Sequence, residues 1–381
     1  MTAYLDNSAT TRPTEGVIEA MNRCMREGFY NPSSLYAPAI DVEKSLRACR
    51  QAVARALRGD EKGVYFTSGG TEGNNLCLIG SVSAMRGKQT VIVSAVEHPS
   101  VLEACAELER QGHEVIRLGV DIQGQPDFDE LEKLLERKPA LVSCMQVNNE
   151  TGAMPDIRRL SALVRAASPA TLIHVDGVQG FMREPFDVRL VDMYTLSGHK
   201  IHGPKGVGAV YIRPGVRVLP RQLGGGQEKS MRSGTENTPG IAGLERAIME
   251  MSILSDAHDL LMKKKLRFWT GIQAAVPEAK VNGPEPDQGA GHIINVTFPG
   301  VRGEVMLHAL EERGVYCSTG SACSSKKRHI SPVLTAMGVP ADEAEGALRF
   351  SLSPHTADDE IDAAVSVIGP LYDTLRRYKR R

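Results

Sequence analysis

Residues 171–200 read TLIHVDGVQGFMREPFDVRLVDMYTLSGHK, with two apolar, β-rich runs, Thr171–Val175 and Met193–Leu196, that each stop abruptly at polar residues. The first ends in Asp176-Gly177-Val178-Gln179 and the second in Ser197-Gly198-His199-Lys200. Nearly continuous apolar runs of this length, without alternation, suit parallel strands covered on both faces. Moving outward, Val64–Thr67, Thr90–Val96, Leu141–Val147 and Gly208–Ile212 have the same character, and the amphipathic stretches Ser100–Arg110 and Ile157–Ala167 lie between them. From about residue 45 to 215 this rhythm predicts an open α/β sheet with helices on both faces.

A second regime begins near residue 238. Thr238-Pro239 reads as an N-cap followed by proline at the first helical position, and Ile241, Leu244, Ile248, Met251 and Leu254 continue at helical spacing. One helix to about Trp269 is predicted. Beyond it, strands at Ile293–Phe298, Val315–Cys317 and Leu348–Leu352 and helices at Glu304–Arg313 and Asp358–Tyr378 predict a smaller α+β domain. The Gly/Pro-rich stretch Asn282–Gly291 reads as a loop within it.

The chain has 381 residues, 41% apolar and 24% charged, enough for two or three well-packed domains and unlike a disordered chain. Its 45 basic and 46 acidic side chains leave a net charge of −1, which removes the electrostatic argument for nucleic acid or membrane surfaces. The terminal Arg376, Arg377, Lys379, Arg380 and Arg381 read as a solvated helix end. Met1–Asp6 carries no basic, apolar leader, and no apolar run reaches membrane-spanning length, so a cytoplasmic, reduced location is expected. Seven cysteines, an odd number with no Cys-x-x-Cys pair, argue against a disulfide framework or structural zinc. Cys24, Cys49, Cys77, Cys105 and Cys144 lie in apolar stretches and are expected in the core, and Cys317, which ends an apolar strand, is expected to pack. Cys323 differs. It sits in Ser318–His329, a small, polar and then basic stretch expected to be a flexible exposed loop whose cations favour thiolate.

Ligands of open α/β sheets bind beyond the carboxyl ends of the strands. Each apolar run here ends in a polar cluster: Ser68–Asn75, Glu97-His98, Asn148–Gly152, Asp176–Gln179 and Ser197–Lys200. The first has the glycines and helix start of an anion cup, though not the pattern of a nucleotide-binding loop. Asp176 and Lys200, a carboxylate and an amine at neighbouring strand ends, complete what a pyridoxal phosphate site requires: an anion cup for the phosphate, a partner for the ring nitrogen and a Schiff-base lysine. His98, at a strand end beside that site, reads either as a satisfied core histidine or, favoured by its place, as a residue that stacks on the ring. His199 and His202 form His-x-x-His without a nearby third ligand, so no resident metal is expected. Arg349, alone in an apolar strand, calls for an anion, either a substrate carboxylate or a protein acid.

Asn7–Thr11, Asn31–Ser34, Ser68–Glu72, Glu97-His98, Asn148–Glu150, Asp176–Gln179, Ser197–Lys200, Gly224–Glu228, Arg232–Thr235, Ser321–Cys323 and Arg349–Ser351 closely resemble the motifs of the cysteine desulfurases, in order, from residue 4 to about 365. The longer loop after Cys323 resembles the class of the nitrogen-fixation and iron–sulfur housekeeping enzymes. The resemblance implies a homodimeric fold-type I pyridoxal phosphate enzyme. Its large domain, 16–254, would carry a mixed, mostly parallel seven-stranded sheet, and the small α+β domain would comprise 1–15 and 255–381. It also implies the roles of individual residues. Gly70, Thr71, Ser197 and His199 hold the phosphate, with Thr235 contributed by the other subunit; His98 stacks, Asp176 pairs with the ring nitrogen, Gln179 bonds the phenolic oxygen and Lys200 holds the aldehyde. Asn149 and Arg349, and secondarily Asn31, bind the carboxylate of L-cysteine. Lys200 then moves the Cα proton, and Cys323 takes the substrate sulfur as a persulfide, leaving L-alanine. The sulfur goes to an acceptor protein, an iron–sulfur scaffold or a tRNA-thiolation enzyme, and with a scaffold Cys323 could transiently ligate the cluster. Two features depart from the family pattern: Tyr30 and Tyr36 flank the Asn31 motif, where glycine and histidine are usual, and Cys317 stands six residues before Cys323, a spacing that would let it receive or resolve the persulfide.

Overall fold

The computed structural model describes residues 2–254, 256–319 and 330–378. In chain order its strands are β1 (Ala3–Tyr4), β2 (Val64–Thr67), β3 (Thr90–Ser94), β4 (Glu114–Leu118), β5 (Leu141–Ser143), β6 (Leu172–Asp176), β7 (Met193–Ser197), β8 (Gly208–Ile212), β9 (Lys280–Val281), β10 (Ile293–Thr297), β11 (Val315–Tyr316) and β12 (Ala347–Ser351). The large sheet has the order β2-β8-β7-β6-β5-β3-β4, and β8 alone runs against the rest. This is the mixed, mostly parallel seven-stranded sheet that the resemblance implies. Because the six strands other than β8 run the same way, the carboxyl ends of β2, β3, β5, β6 and β7 share one edge, and Thr67 and Ser197 both stand opposite Gly208.

Val91, Ile92 and Val93 of β3 are fully buried, as are Ile173 and Val175 of β6. Each such side chain contributes about 1.5–3 kcal/mol by leaving water, which fixes the strands at the centre of the layer. The helix Gly70–Ser83 packs Leu76, Cys77 and Ile79 on one face with Pro99–Arg110, and the core on the other face holds Ile157 and Leu160 of Ile157–Ala167. β4 was not legible as a strand. It is one of the two edge strands, paired only with β3, and its exposed Glu114 and Arg117 interrupt the apolar run that marks the inner strands.

A separate core gathers Leu261, Phe268, Val296, Phe298, Phe350 and Ile368 around the three-stranded sheet β12-β10-β9, and Ala3 and Leu5 from the start of the chain join it. β1 pairs in parallel with β11, Ala3 opposite Val315. The helix expected to run from 238 to about 269 is two helices, Thr238–Ile253 and Ala257–Ala275, with Leu254 and Asp256 in non-helical conformations. The apolar spacing continues through the break because each half serves a different core: Leu244 and Met251 one, Leu261 and Phe268 the other. Among the described residues no helix is long and apolar enough to cross a membrane.

Candidate active site

At the shared carboxyl edge lies a cavity of about 260 Å3. Gly70, Thr71, His98, Asn149, Asp176, Gln179, Ser197, His199 and Lys200 all line it. Residues from five strand ends, scattered over 130 positions of sequence, therefore meet at one place.

The cup forms where β2 turns into the helix Gly70–Ser83. Gly69 has φ of +146°, a conformation costly for residues with a Cβ, and a Cβ on Gly70 would stand 2.6 Å from Val178 Cγ2. The first-turn N–H groups of a helix have no intrahelical acceptor and point at whatever lies beyond its start. Ser197, buried at the end of β7, adds a hydroxyl. His199 Nδ1 lies 3.2 Å from Thr10 Oγ1, and burial, then Lys200, Lys205 and Arg183, hold its pKa down to about 4. The imidazole is neutral at pH 7 and meets an anion as a hydrogen-bonding group, not as a cation.

Asp176 is 5% exposed, and its carboxylate is fully engaged on the protein side: Oδ1 accepts from Val178 N at 2.9 Å and Oδ2 from Asn74 Nδ2 at 2.7 Å. Asn74 also donates to Ser100 Oγ at 2.9 Å, and Ser100 Oγ lies 2.8 Å from His98 Nδ1. With Ser100 N donating to the same Nδ1 at 3.1 Å, that atom is an acceptor, and the proton of the neutral ring sits on Nε2. Burial and then the nearby Lys200 keep His98 below the ordinary histidine range, against the pull of Asp176. Asn74 and Ser100 link Asp176 to His98, and the motif reading did not single them out. Their signal was position, one helical turn into the cup helix and two residues after His98.

The strand expected over Leu141–Val147 ends at Ser143. Met145 N is taken by buried Glu97 Oε1 at 2.6 Å, which turns the chain out of the ladder toward Asn149, although Gln146 N still reaches Asp176 O at 2.9 Å.

Lys200 Nζ donates to the carbonyls of Ser8 and Ala9, the latter at 2.8 Å. Burial, followed by the positive charges of Arg183 and Arg349, holds its pKa down to about 7, with Asp6 and Asp176 opposing. An amine so placed is substantially neutral at physiological pH, the form that attacks a carbonyl carbon.

Arg349 does not line the cavity but stands behind Asn149, whose carbonyl accepts from Nη1 at 3.0 Å. Nη2 donates to Asp6 Oδ1 at 2.7 Å, so the protein-acid alternative for this arginine is realised. Its buried Nε has no partner among the described residues. Asn31 is brought to neither group: it is exposed, and its Oδ1 caps its own turn at Ser33 N, 2.9 Å away. Tyr30 and Tyr36 on either side meet edge to face at 5.9 Å. Thr235 is exposed, in the segment before the helix Thr238–Ile253, and is not part of this cavity.

Cys323 lies outside the described residues. Cys317 packs at the edge of the small core, and burial, then Asp6, push its thiol well above the ordinary range, with Arg349 opposing. Of the five cysteines expected in the core, Cys49, Cys77, Cys105 and Cys144 are buried, whereas Cys24 is half-buried on the outer helix Glu15–Glu27. Helical periodicity places Cys24 beside the inner face, not on it. His202 Nδ1 lies 2.9 Å from the Arg12 carbonyl, and the ring packs edge to face on His355 at 4.6 Å. Among the described residues no group of three His, Cys, Asp or Glu side chains is placed to hold a metal ion.

The family Aminotransferase class-V matches residues 3–364. The chain belongs to this family. Across 379 residues it is 40% identical to cysteine desulfurase 2 of Trichormus variabilis, a match covering 98% of this chain and 94% of that protein. Class-V aminotransferases are pyridoxal phosphate enzymes. Among solved structures, a NifS-like protein superposes with a TM-score of 0.92 at 35% identity, over 98% of this chain and all of the other. SspA, solved in complex with cysteine, superposes with a TM-score of 0.80 at 30% identity over 93% of this chain and all of the other. A class-V fold accounts for the strand order, and the cavity sits where ligands of open α/β sheets bind.

Proposed function

We propose that this protein is a cysteine desulfurase that uses pyridoxal 5′-phosphate to take sulfur from L-cysteine. The observation that carries the reading is one cavity holding a helix-start anion cup, a fully hydrogen-bonded carboxylate at Asp176 and a lysine amine at Lys200 held down to about 7. These residues fit the cofactor group by group. Gly70, Thr71, Ser197 and His199 hold the phosphate, joined by the partner subunit's Thr235 in a homodimer; an exposed Thr235 outside its own cavity suits that role. Asp176, fixed by Asn74 and Val178, keeps a proton on the ring nitrogen. His98 covers the ring and Gln179 bonds its oxygen. When bound, the cofactor supplies an electron sink for charge developing at the substrate Cα.

The chain's own groups do the rest. Asn149, which lines the cavity, and Arg349 behind it hold the substrate carboxylate; Asn31, turned to its own Ser33 N, would have to move to take the lesser part assigned to it. Lys200 takes the Cα proton and returns a proton later in the cycle. Cys323 thiolate attacks the substrate sulfur, the carbon–sulfur bond breaks with its electron pair left on Cβ, and protonation there gives L-alanine. Cys323 is left as a persulfide for an acceptor protein, an iron–sulfur scaffold or a tRNA-thiolation enzyme. The reading takes 16–254 as the large domain, with Lys200, and 1–15 with 255–381 as the small domain; the two main apolar cores suit such a division, although Ala257 packs with the large one. Purified protein incubated with L-cysteine and a reductant tests the reading: alanine and sulfide form in equal amounts, and Cys323→Ala loses both products while still binding cysteine at the cofactor. Normal sulfide release by Cys323→Ala would refute the assigned nucleophile.

A further inference from the structure

One buried cation beside this cavity has no part in the reaction above. Arg183 is 2% exposed, four residues after Gln179. Its Nη1 donates to Gln179 Oε1 at 3.1 Å, and its Nη2 donates to the Lys200 carbonyl and, at 3.4 Å, to the Asn7 carbonyl. All three acceptors are neutral. The adjacent carboxylate, Glu184, is committed elsewhere, to His258 Nδ1 at 2.6 Å and Gly291 N at 3.2 Å. A buried guanidinium held only by an amide and two peptide carbonyls leaves its charge largely uncompensated.

The same contacts fix the Gln179 amide at both ends. Its Oε1 accepts from Arg183 and its Nε2 donates to the Ser8 carbonyl at 2.9 Å. The flipped amide would set an N–H against the guanidinium and an oxygen against a carbonyl, so one orientation holds. The group that Gln179 can still offer a ligand in the cavity is its second N–H, a donor suited to an anionic oxygen.

Resting on the reading of a pyridoxal phosphate site, we propose that Arg183 is a positioning residue: from behind the cavity it locks the Gln179 amide and the Lys200 main chain in the cofactor-binding orientation and supplies a fixed positive charge that the anionic cofactor neutralises. Several charged groups face Lys200, Arg183 and Arg349 against its protonation and Asp6 and Asp176 for it, beside the neutral imidazoles of His98 and His199. Arg183 in turn faces Glu184, Lys200, His199, His202 and His292. Burial lowers the Arg183 pKa to about 10, which leaves it a cation at pH 7, whereas His199 and His202, held down to about 4 mainly by burial, are neutral there.

The test uses holoenzyme of wild type, Arg183→Met and Arg183→Lys, followed by the pH midpoint of the bound cofactor's visible absorbance and by the rate of cofactor loss on dialysis. Removing the charge in Arg183→Met raises the midpoint by about one pH unit and speeds loss roughly tenfold. Arg183→Lys keeps the midpoint near wild type but still loses cofactor faster, because one ammonium cannot reproduce the fork on Gln179 and Lys200. A folded Arg183→Met with unchanged midpoint and loss rate overturns the proposal. Should Arg183→Met fail to fold, Gln179→Leu decides: its effect on cofactor loss is absent in the Arg183→Lys background if Arg183 acts through Gln179, and full additivity overturns the proposal. A wild-type protein that binds no chromophore would defeat the desulfurase reading instead.

Discussion

The two sides of the active site are built differently. The cofactor side rests on strand ends of one sheet, where Asp176 and Ser197 are buried and Asp176 has a protein partner on each oxygen. The side proposed to hold the substrate is assembled across the molecule. Arg349 from β12, Asp6 from just after β1 and the Asn149 carbonyl beyond β5 come together from 343 and 200 positions apart in sequence. On the first side, geometry follows from sheet register and is settled by the core. On the second, it depends on how the small-domain core, joined by the start of the chain, seats against the sheet edge. On the proposed reading, groups that serve the cofactor come from one sheet, whereas those that serve the substrate come from separate parts of the chain.

Lys200→Ala breaks the cofactor side at its centre. Alanine formation falls by roughly 10³-fold or more, and the visible band of covalently held cofactor disappears, as absorbance and product assays would read. Arg349→Leu breaks the other side: KM for L-cysteine rises about 10–100-fold, as expected for losing hydrogen bonds to a charged group, with the cofactor still bound and the Lys200 pKa released upward by the loss of one nearby positive charge.

A pH series sharpens the contrast without mutation. Because Lys200 is held down to about 7, it is protonated below that pH and neutral above it. Cofactor uptake by the cofactor-free protein, followed by stopped-flow absorbance, therefore rises about tenfold from pH 6 to 8 and then levels, whereas an ordinary lysine of pKa about 10.4 would keep gaining past pH 10. Asp6→Asn weakens the orientation of Arg349 while sparing the cup, for an effect of about 3–10-fold on KM and little on kcat. The smallest effect belongs to Cys317→Ser. A thiol that burial keeps protonated is a poor nucleophile, so persulfide lifetime and turnover stay at wild-type values.

The same contrast explains what could be read from the chain alone. Asp176, Lys200, His98 and the cup were legible because each follows an apolar run, and the common direction of those strands carries all their ends to one edge. Asp6 was not legible as the partner of Arg349, because a contact across 343 residues has no local pattern. Arg183 was hidden for a related reason: a cation four residues after Gln179 looks like a solvated helix or turn residue until burial shows otherwise. Edge strand β4 and the break between Ile253 and Ala257 were missed because apolar periodicity reports burial, not which core does the burying.

Mass-spectrometric mapping after exposure to L-cysteine tests the central claim, that Lys200 chemistry on one side delivers sulfur to Cys323 on the other. The account predicts one added sulfur atom on the Cys323 peptide of the wild-type protein, removable by reductant, and none in Lys200→Ala. Sulfur carried on another cysteine, or found on Cys323 equally in Lys200→Ala, would contradict it.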